Sequence, residues 1–205
     1  MDDAPTVLPC GDRALLVEVP DGGDVAGLAA ALARSPLPGQ EELVPAARTV
    51  LVRLDRTPTE RDVAALRRLR PAAGADRGRE GEVVLDVLFD GPDLAEVAER
   101  TGRDVGALVE VLTGTRLTVA FAGFAPGFGY LTGLPDDLHV PRRATPRTRV
   151  PAGAVGLAGP YAGVYPRASP GGWQLVGRTD AVLFDADREP PALLAPGTAV
   201  RFRAC

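Results

Sequence analysis

Between positions 122 and 178 the chain carries 11 Gly and 8 Pro in 57 residues. A third of that segment cannot sit comfortably inside a helix. The second half of the protein therefore has to be built from short strands joined by tight turns, as a β-barrel or sandwich. Segments 154–158, 163–165, 173–178, 182–185 and 198–203 have strand character. Ahead of them, 82–89 reads as a strand, 92–100 and 104–112 as two short helices, and 117–121 as another strand. The second helix places Val105, Leu108, Val109 and Leu112 on one face, with Gly114 at its end.

The first 80 residues have a different texture. A strand over 14–19 precedes a helix whose Val25, Leu28, Ala29 and Leu32 share a face, with Asp24 as N-cap and Pro36 as stop. A strand over 49–54 precedes Thr57-Pro58-Thr59-Glu60, which fits a capping box with Thr57 at N-cap, Pro58 at N1 and Glu60 at N3. The helix it opens carries Val63, Leu66 and Leu69 on one face and ends at Pro71. Strand, helix, strand, helix predicts a small α/β sandwich over residues 1–80. A linker follows over 71–81, and the β-rich domain takes 81–205.

Charge and composition exclude several classes. All 23 basic residues are Arg, against 27 acidic ones, a net charge of −4. That argues against a nucleic-acid binder. Apolar runs fall far short of a membrane span, and Met1-Asp2-Asp3 does not open a signal peptide. Cys10 and Cys205 offer no disulfide framework. We read a cytoplasmic protein with reduced thiols, Cys10 packing as a small apolar residue and Cys205 fraying. One His and two distant Cys cannot make a zinc site, and His139 is expected in solvent. The absence of Lys rules out a P-loop. No catalytic residue is assigned.

Four pieces of the Gly/Pro-rich half stand out. Gly123-Phe124-Ala125-Pro126-Gly127-Phe128-Gly129-Tyr130-Leu131 puts three aromatics on a stiff loop, either a wall for a small organic ligand or a plug at the barrel end. Residues 141–151 hold Arg142, Arg143, Arg147 and Arg149 extended between prolines, either an anion clamp or a solvated strand. Gly153, Gly156 and Gly159 favour a structural role, close backbone approach or positive φ. Trp173, the only Trp, follows Gly171-Gly172 and either lines a cleft or anchors the core.

Read together, these pieces resemble one family. The residues are Gly123 to Phe128, Tyr130-Leu131, Pro141-Arg142-Arg143, Thr145-Pro146-Arg147, Val150-Pro151-Ala152-Gly153, Val155-Gly156, Gly163-Val164-Tyr165-Pro166, Pro170 to Leu175 and Gly177-Arg178-Thr179. Gly91-Pro92-Asp93-Leu94 fits as well. The family includes the 5-oxoprolinase B subunit, the sporulation kinase inhibitor KipI and allophanate hydrolase subunit 1, and shares a domain with urea carboxylases. The match covers about residues 91–205.

The resemblance implies an α+β protein, a small N-terminal α/β domain followed by a cyclophilin-like β-barrel. It implies a subunit that works with a paralogous partner, the C subunit, and a larger third subunit to open 5-oxoproline to glutamate at the expense of ATP. ATP and magnesium would then belong to the complex rather than to this chain alone. The expected small-molecule site comprises Phe124, Pro126, Gly127, Phe128, Tyr130, Arg142, Arg143, Arg147, Pro151, Gly153, Tyr165, Gly171, Gly172, Trp173 and Arg178. Arg142, Arg143 and Arg147 would face an anion, and Phe128, Tyr130 and Trp173 would shape the pocket. The family's other roles are a KipI-like inhibitor of a histidine kinase and an allophanate hydrolase or urea-carboxylase-type subunit. The chain departs from the family's usual residues at Leu112, Leu117, Thr132, Ala154 and Tyr161-Ala162. If the lost polar groups touched substrate, this member binds something else or is catalytically silent; if they were structural, nothing follows.

Overall fold

A computed structural model describes residues 5–20, 24–70 and 81–205. The chain divides into two compact units, Met1–Arg77 and Gly78–Cys205.

In the N-terminal unit, strands β1 (Thr6–Cys10) and β2 (Ala14–Glu18) precede helix α1 (Val25–Arg34). Strands β3 (Gln40–Pro45) and β4 (Thr49–Leu54) precede helix α2 (Glu60–Arg68). The strands form one antiparallel sheet in the order β1-β2-β4-β3. Val7, Leu15, Val17, Val50, Val52 and Leu54 bury one face of it against Leu28, Leu32 and Leu66 of the helices. The Asp24 carboxylate caps α1 by accepting from the Gly27 N–H at 2.7 Å, as expected from its position.

The capping box of α2 sits two residues later than the sequence suggests. Asp62, not Glu60, accepts from the Thr59 N–H and hydroxyl, both at 2.7 Å. Arg56 fixes that choice by binding the Asp62 carboxylate with both terminal nitrogens, at 2.7 and 2.9 Å. Strands β1 and β3 are not legible in the sequence because they are sheet edges. Only Val7 of β1 is buried, so neither strand shows a clean apolar alternation. Cys10 is exposed on β1 rather than packed, and Cys205 is likewise free and exposed. The expected stop at Pro71 and most of the expected linker lie outside the described residues.

The second unit opens with β5 (Glu82–Val87), α3 (Leu94–Arg100), α4 (Val105–Gly114) and β6 (Leu117–Ala122). It continues through β7 (Gly129–Thr132), a 3-10 turn at Asp136–Leu138, β8 (Arg147–Val150), β9 (Ala154–Ala158) and β10 (Tyr161–Val164). Strands β11 (Ser169–Gly171), β12 (Gln174–Arg178) and β13 (Ala199–Ala204) complete it. Seven strands make one sheet, β12-β9-β10-β7-β6-β13-β5. Its ends meet where Leu88 and Arg178 exchange two backbone hydrogen bonds of 2.9 Å, so the sheet is a nearly closed barrel. Val119, Leu131, Val155, Leu157, Val176 and Val200 fill its core with Leu108 and Leu112 of α4. Strands β8 and β11 form a separate two-stranded ribbon.

Segment 182–185 is not a strand, apart from one bridge between Phe184 and Ala192. The Arg188 guanidinium donates to the carbonyls of Val182, Leu183 and Pro191 at 3.1, 3.3 and 2.9 Å. The Leu183 and Pro191 carbonyls also accept the Leu193 and Asp185 N–H groups at 2.9 and 3.0 Å, so Arg188 braces this loop beside its few backbone pairings. Among the described residues no helix is long and apolar enough to cross a membrane.

Candidate functional site: an aromatic face beside an arginine–aspartate cluster

Seven of the ten aromatic residues gather on strands β6, β7, β10 and the loops beside them: Phe121, Phe124, Phe128, Tyr130, Tyr161, Tyr165 and Trp173. Phe128 is the hub. Its ring meets Phe124, Tyr130, Tyr165 and Trp173 edge-on at centroid distances of 5.0–5.4 Å, the favoured aromatic geometry. Glycines make room for it. Gly156 and Gly163 pair across β9 and β10. A Cβ on Gly163 would lie 3.0 Å from both the Phe128 and Trp173 rings, and one on Gly156 3.0 Å from the Trp173 Cβ. The glycine pair is the slot into which the rings pack.

Phe124 differs from the other rings. It is 58% exposed, and among the described residues it is the one non-glycine with positive φ, at 65°. The Ala125 N–H reaches back to the Gly123 carbonyl at 2.7 Å. This is a three-residue γ-turn with Phe124 at its strained centre. The turn is held by Phe128 N–H to the Ala125 carbonyl at 2.9 Å and by Gly123 N–H to the Phe128 carbonyl at 3.2 Å. Gly127 follows at φ 83°, where a Cβ would meet that of Phe184 at 2.7 Å. A large ring is thus held outward by a strained, well-braced turn.

Beside the rings lies an ion cluster. Arg143 and Arg147 both donate to one oxygen of Asp93, at 2.9 and 2.7 Å. The other Asp93 oxygen accepts from the Leu175 N–H at 2.7 Å, and the Asp93 N–H donates to the Leu175 carbonyl at 3.0 Å. The Arg143 N–H binds the Gly172 carbonyl at 2.8 Å. Burial alone would push the Asp93 carboxyl up; the Arg147 guanidinium, the Leu175 N–H and the charges of Arg147 and Arg143 outweigh it and hold it below its ordinary value. One carboxylate thus ties the start of α3, the arginine segment and the Gly171-Gly172-Trp173 turn together.

Arg143 and Arg147 do face an anion, and it is the chain's own. Arg142 is exposed, and its charge opposes the burial that raises the Tyr165 phenol. Tyr165 packs its hydroxyl against Gly171, where a Cβ would stand 2.4 Å away. Pro126 is exposed at the loop tip and Gly172 is half-buried. Pro151 is exposed at the β8–β9 turn. Gly153 is pinned by the Tyr165 carbonyl and the Thr179 N–H at 2.8 and 2.9 Å. Arg178 stands at the far end of β12, paired with Asp90 at 3.0 Å.

In the sequence Asp93 is only part of a motif, because nothing there marks a carboxylate as buried. A signal is nevertheless present: four arginines within eight residues, held between prolines, need counter-charge. Tyr161 and Phe121 are also site residues that the sequence does not announce. They join the cluster through Tyr130, which stacks on Phe121 at 4.3 Å and meets Tyr161 at 5.7 Å. Among the departures from the family pattern, Leu112, Leu117, Ala154 and Ala162 are buried and Tyr161 lies against the rings. The Thr132 hydroxyl donates to the Thr118 carbonyl at 3.3 Å.

One cleft, of about 420 Å³, is lined by Arg178 together with Leu88, Thr179 and Asp180, whereas Phe124 and Arg142 are exposed. The carboxylate of the cluster, Asp93, is held by two guanidiniums, and no group of three or more metal-binding side chains occurs among the described residues.

The chain thus carries a nearly closed seven-stranded barrel with an aromatic cluster beside an arginine–aspartate cluster. The chain belongs to the family described as carboxyltransferase domain, subdomain C and D, matched over residues 5–194. It is 44% identical over 172 residues to the 5-oxoprolinase B subunit of Escherichia coli O157:H7, covering 81% of this chain and 78% of that protein. The solved structure of TTHA0988 superposes with a TM-score of 0.76 at 36% identity, covering 94% of this chain and 40% of that one. The conserved uncharacterized protein PH0987 from Pyrococcus horikoshii superposes with a TM-score of 0.59 at 33% identity, covering 98% and 97%. The chain spans about two fifths of TTHA0988.

Proposed function

We propose that this chain is the B subunit of a cytoplasmic, ATP-dependent 5-oxoprolinase. It holds substrate or a reaction intermediate on the aromatic–arginine face, and its paralogous partner, the C subunit, covers that face. The same assembly includes a larger third subunit. The observation that carries the reading is the exposed Phe124 ring on its strained turn, packed edge-on against Phe128 and Tyr165; Arg142 is exposed as well. The 5-oxoprolinase relatives support the particular activity.

5-Oxoproline is a five-membered lactam bearing a carboxylate. In this reading the carboxylate meets Arg142, whose planar fork suits it. The ring lies against Phe124, the exposed ring of the cluster. Arg143 and Arg147, both tied to Asp93, keep the turn over 171–173 in place. Opening the lactam adds water across the C–N bond and gives glutamate. The partners supply ATP, magnesium and the activation of the amide. This chain orients the lactam and, once covered, excludes bulk water.

The test is reconstitution with both partner subunits and an assay of ATP-dependent glutamate release. Arg142→Ala is expected to lower kcat/KM by about 10- to 100-fold, the loss of one charge-assisted hydrogen bond. Phe124→Ala is expected to lower it by about tenfold. Both side chains are exposed, so thermal stability should stay within about 0.5 kcal/mol of the parent. Unchanged kinetics in both variants would remove this face from the reaction.

A further inference from the structure

Residues 127–129, which carry the hub ring Phe128, lie against both arms of the loop over 182–194. A Cβ on Gly127 would stand 2.7 Å from that of Phe184 and 3.1 Å from the Leu183 carbonyl oxygen. One on Gly129 would stand 3.2 Å from the Leu194 Cβ. The aromatic segment and the loop are therefore in main-chain contact at two points, one on each arm.

The loop has little regular structure to stiffen it. Its arms are joined by the Leu193 N–H on the Leu183 carbonyl at 2.9 Å and the Asp185 N–H on the Pro191 carbonyl at 3.0 Å. Arg188 adds four more bonds from one side chain. Its Nη1 donates to Val182 at 3.1 Å, and its Nη2 to Leu183 at 3.3 Å and Pro191 at 2.9 Å. Its Nε donates to Pro190 at 3.3 Å. All three guanidinium nitrogens are spent on main-chain carbonyls, two on each arm, a span that suits a rigid planar fork.

The turn at Phe124 has need of such a backing. A bulky residue stays at positive φ only where its surroundings over-determine it. Bonds within 123–128 supply part of that constraint, and the loop meets the segment from outside at Gly127, three residues past Phe124. We propose that Arg188 is a positioning residue for the candidate site: by clamping the two arms of its loop it backs Gly127 and Gly129, and so keeps Phe128 seated and Phe124 presented. The inference rests on the lactam-binding reading of Phe124.

The test combines one spectroscopic and one kinetic readout of Arg188→Ala, with circular dichroism confirming the fold at the assay temperature. Trp173 is the only Trp, it is buried, and it packs on Phe128 at 5.4 Å. Its emission should shift to the red and acrylamide should quench it more efficiently in the variant. In the reconstituted complex, Arg188→Ala should lower kcat/KM for glutamate release by about three- to tenfold. Added to Phe124→Ala it should lower it by no more than about a further twofold, because both changes act through one ring. Independent, merely structural damage would instead multiply the two losses, to about 30- to 100-fold. Unaltered Trp173 fluorescence, or multiplying losses, would overturn the role of Arg188 and leave the lactam-binding reading intact. Unchanged kinetics in Phe124→Ala would remove that ring from the reaction and this inference with it.

Discussion

Asp93→Asn is expected to cost the barrel unit about 3 kcal/mol, the lower end of the range for breaking a buried ion pair. The carboxylate is buried and accepts from Arg143, Arg147 and the Leu175 N–H. An amide in its place turns a donor toward at least one of those donors and leaves two guanidiniums without counter-charge. The lower end applies because the arginine side chains keep 33% and 21% of their surface exposed and can partly rehydrate. Arg143→Ala should cost less, about 1 kcal/mol, since Arg147 still neutralises the carboxylate.

The loss of stability depends on pH, with a sign fixed by the Asp93 shift. The folded state holds this carboxyl below its ordinary value. Its contribution is therefore complete above the unfolded value of about 4 and disappears as pH falls through the lower folded value. Urea midpoints should separate parent and Asp93→Asn by a constant amount from pH 7 to about 5. The two should converge below about pH 4. A gap that widened in acid would contradict the assignment of the ionised form.

The second large effect is expected at Gly153. Gly153→Ala should cost about 3 kcal/mol or more. The residue sits at φ 79°, and an added Cβ would stand 2.1 Å from the Thr179 carbonyl oxygen. Left-handed backbone costs an L-residue about 1 kcal/mol. Relieving a clash with the main chain just past β12 adds about 1–3 kcal/mol. The backbone cannot retreat, since Gly153 is bonded on one side to Tyr165 and on the other to Thr179. Gly156→Ala offers a graded comparison. Its new Cβ would meet the Trp173 side chain at 3.0 Å, which can shift, so about 1–2 kcal/mol is expected. Thermal or urea unfolding of both variants measures the order; equal costs would show that the Gly153 loop relaxes freely.

The two-part architecture is legible in the sequence because its signals are local. The change from apolar periodicity to dense Gly and Pro marks the barrel half, and Asp24 is a cap readable from its place. Long-range partners are not legible. The Asp62 box depends on Arg56 arriving from the preceding loop, and the bracing of the loop at 182–185 on Arg188 returning from downstream. The candidate site is half readable. The aromatics and arginines announce themselves by type and spacing, and the glycine motif by its incompatibility with helix. That Arg143 and Arg147 serve Asp93 while Arg142 stays exposed is a three-dimensional fact with no spacing rule behind it.

Phe124 links local structure to function. A γ-turn at positive φ is costly for a bulky residue, and packing alone does not call for a ring left 58% exposed. Its neighbours are satisfied without it: Phe128 and Tyr165 are buried against Trp173 and each other. Under the proposed function, that exposed ring is what a ligand and a covering partner would meet.

The most direct measurement is ATP-dependent release of glutamate from 5-oxoproline by the purified chain mixed with its paralogous and larger partner subunits. Turnover that vanishes when this chain is omitted, and falls about 10- to 100-fold with Arg142→Ala at unchanged complex yield, is the predicted result. Full turnover without the chain, or none in any mixture while the chain instead binds a histidine kinase, would contradict it.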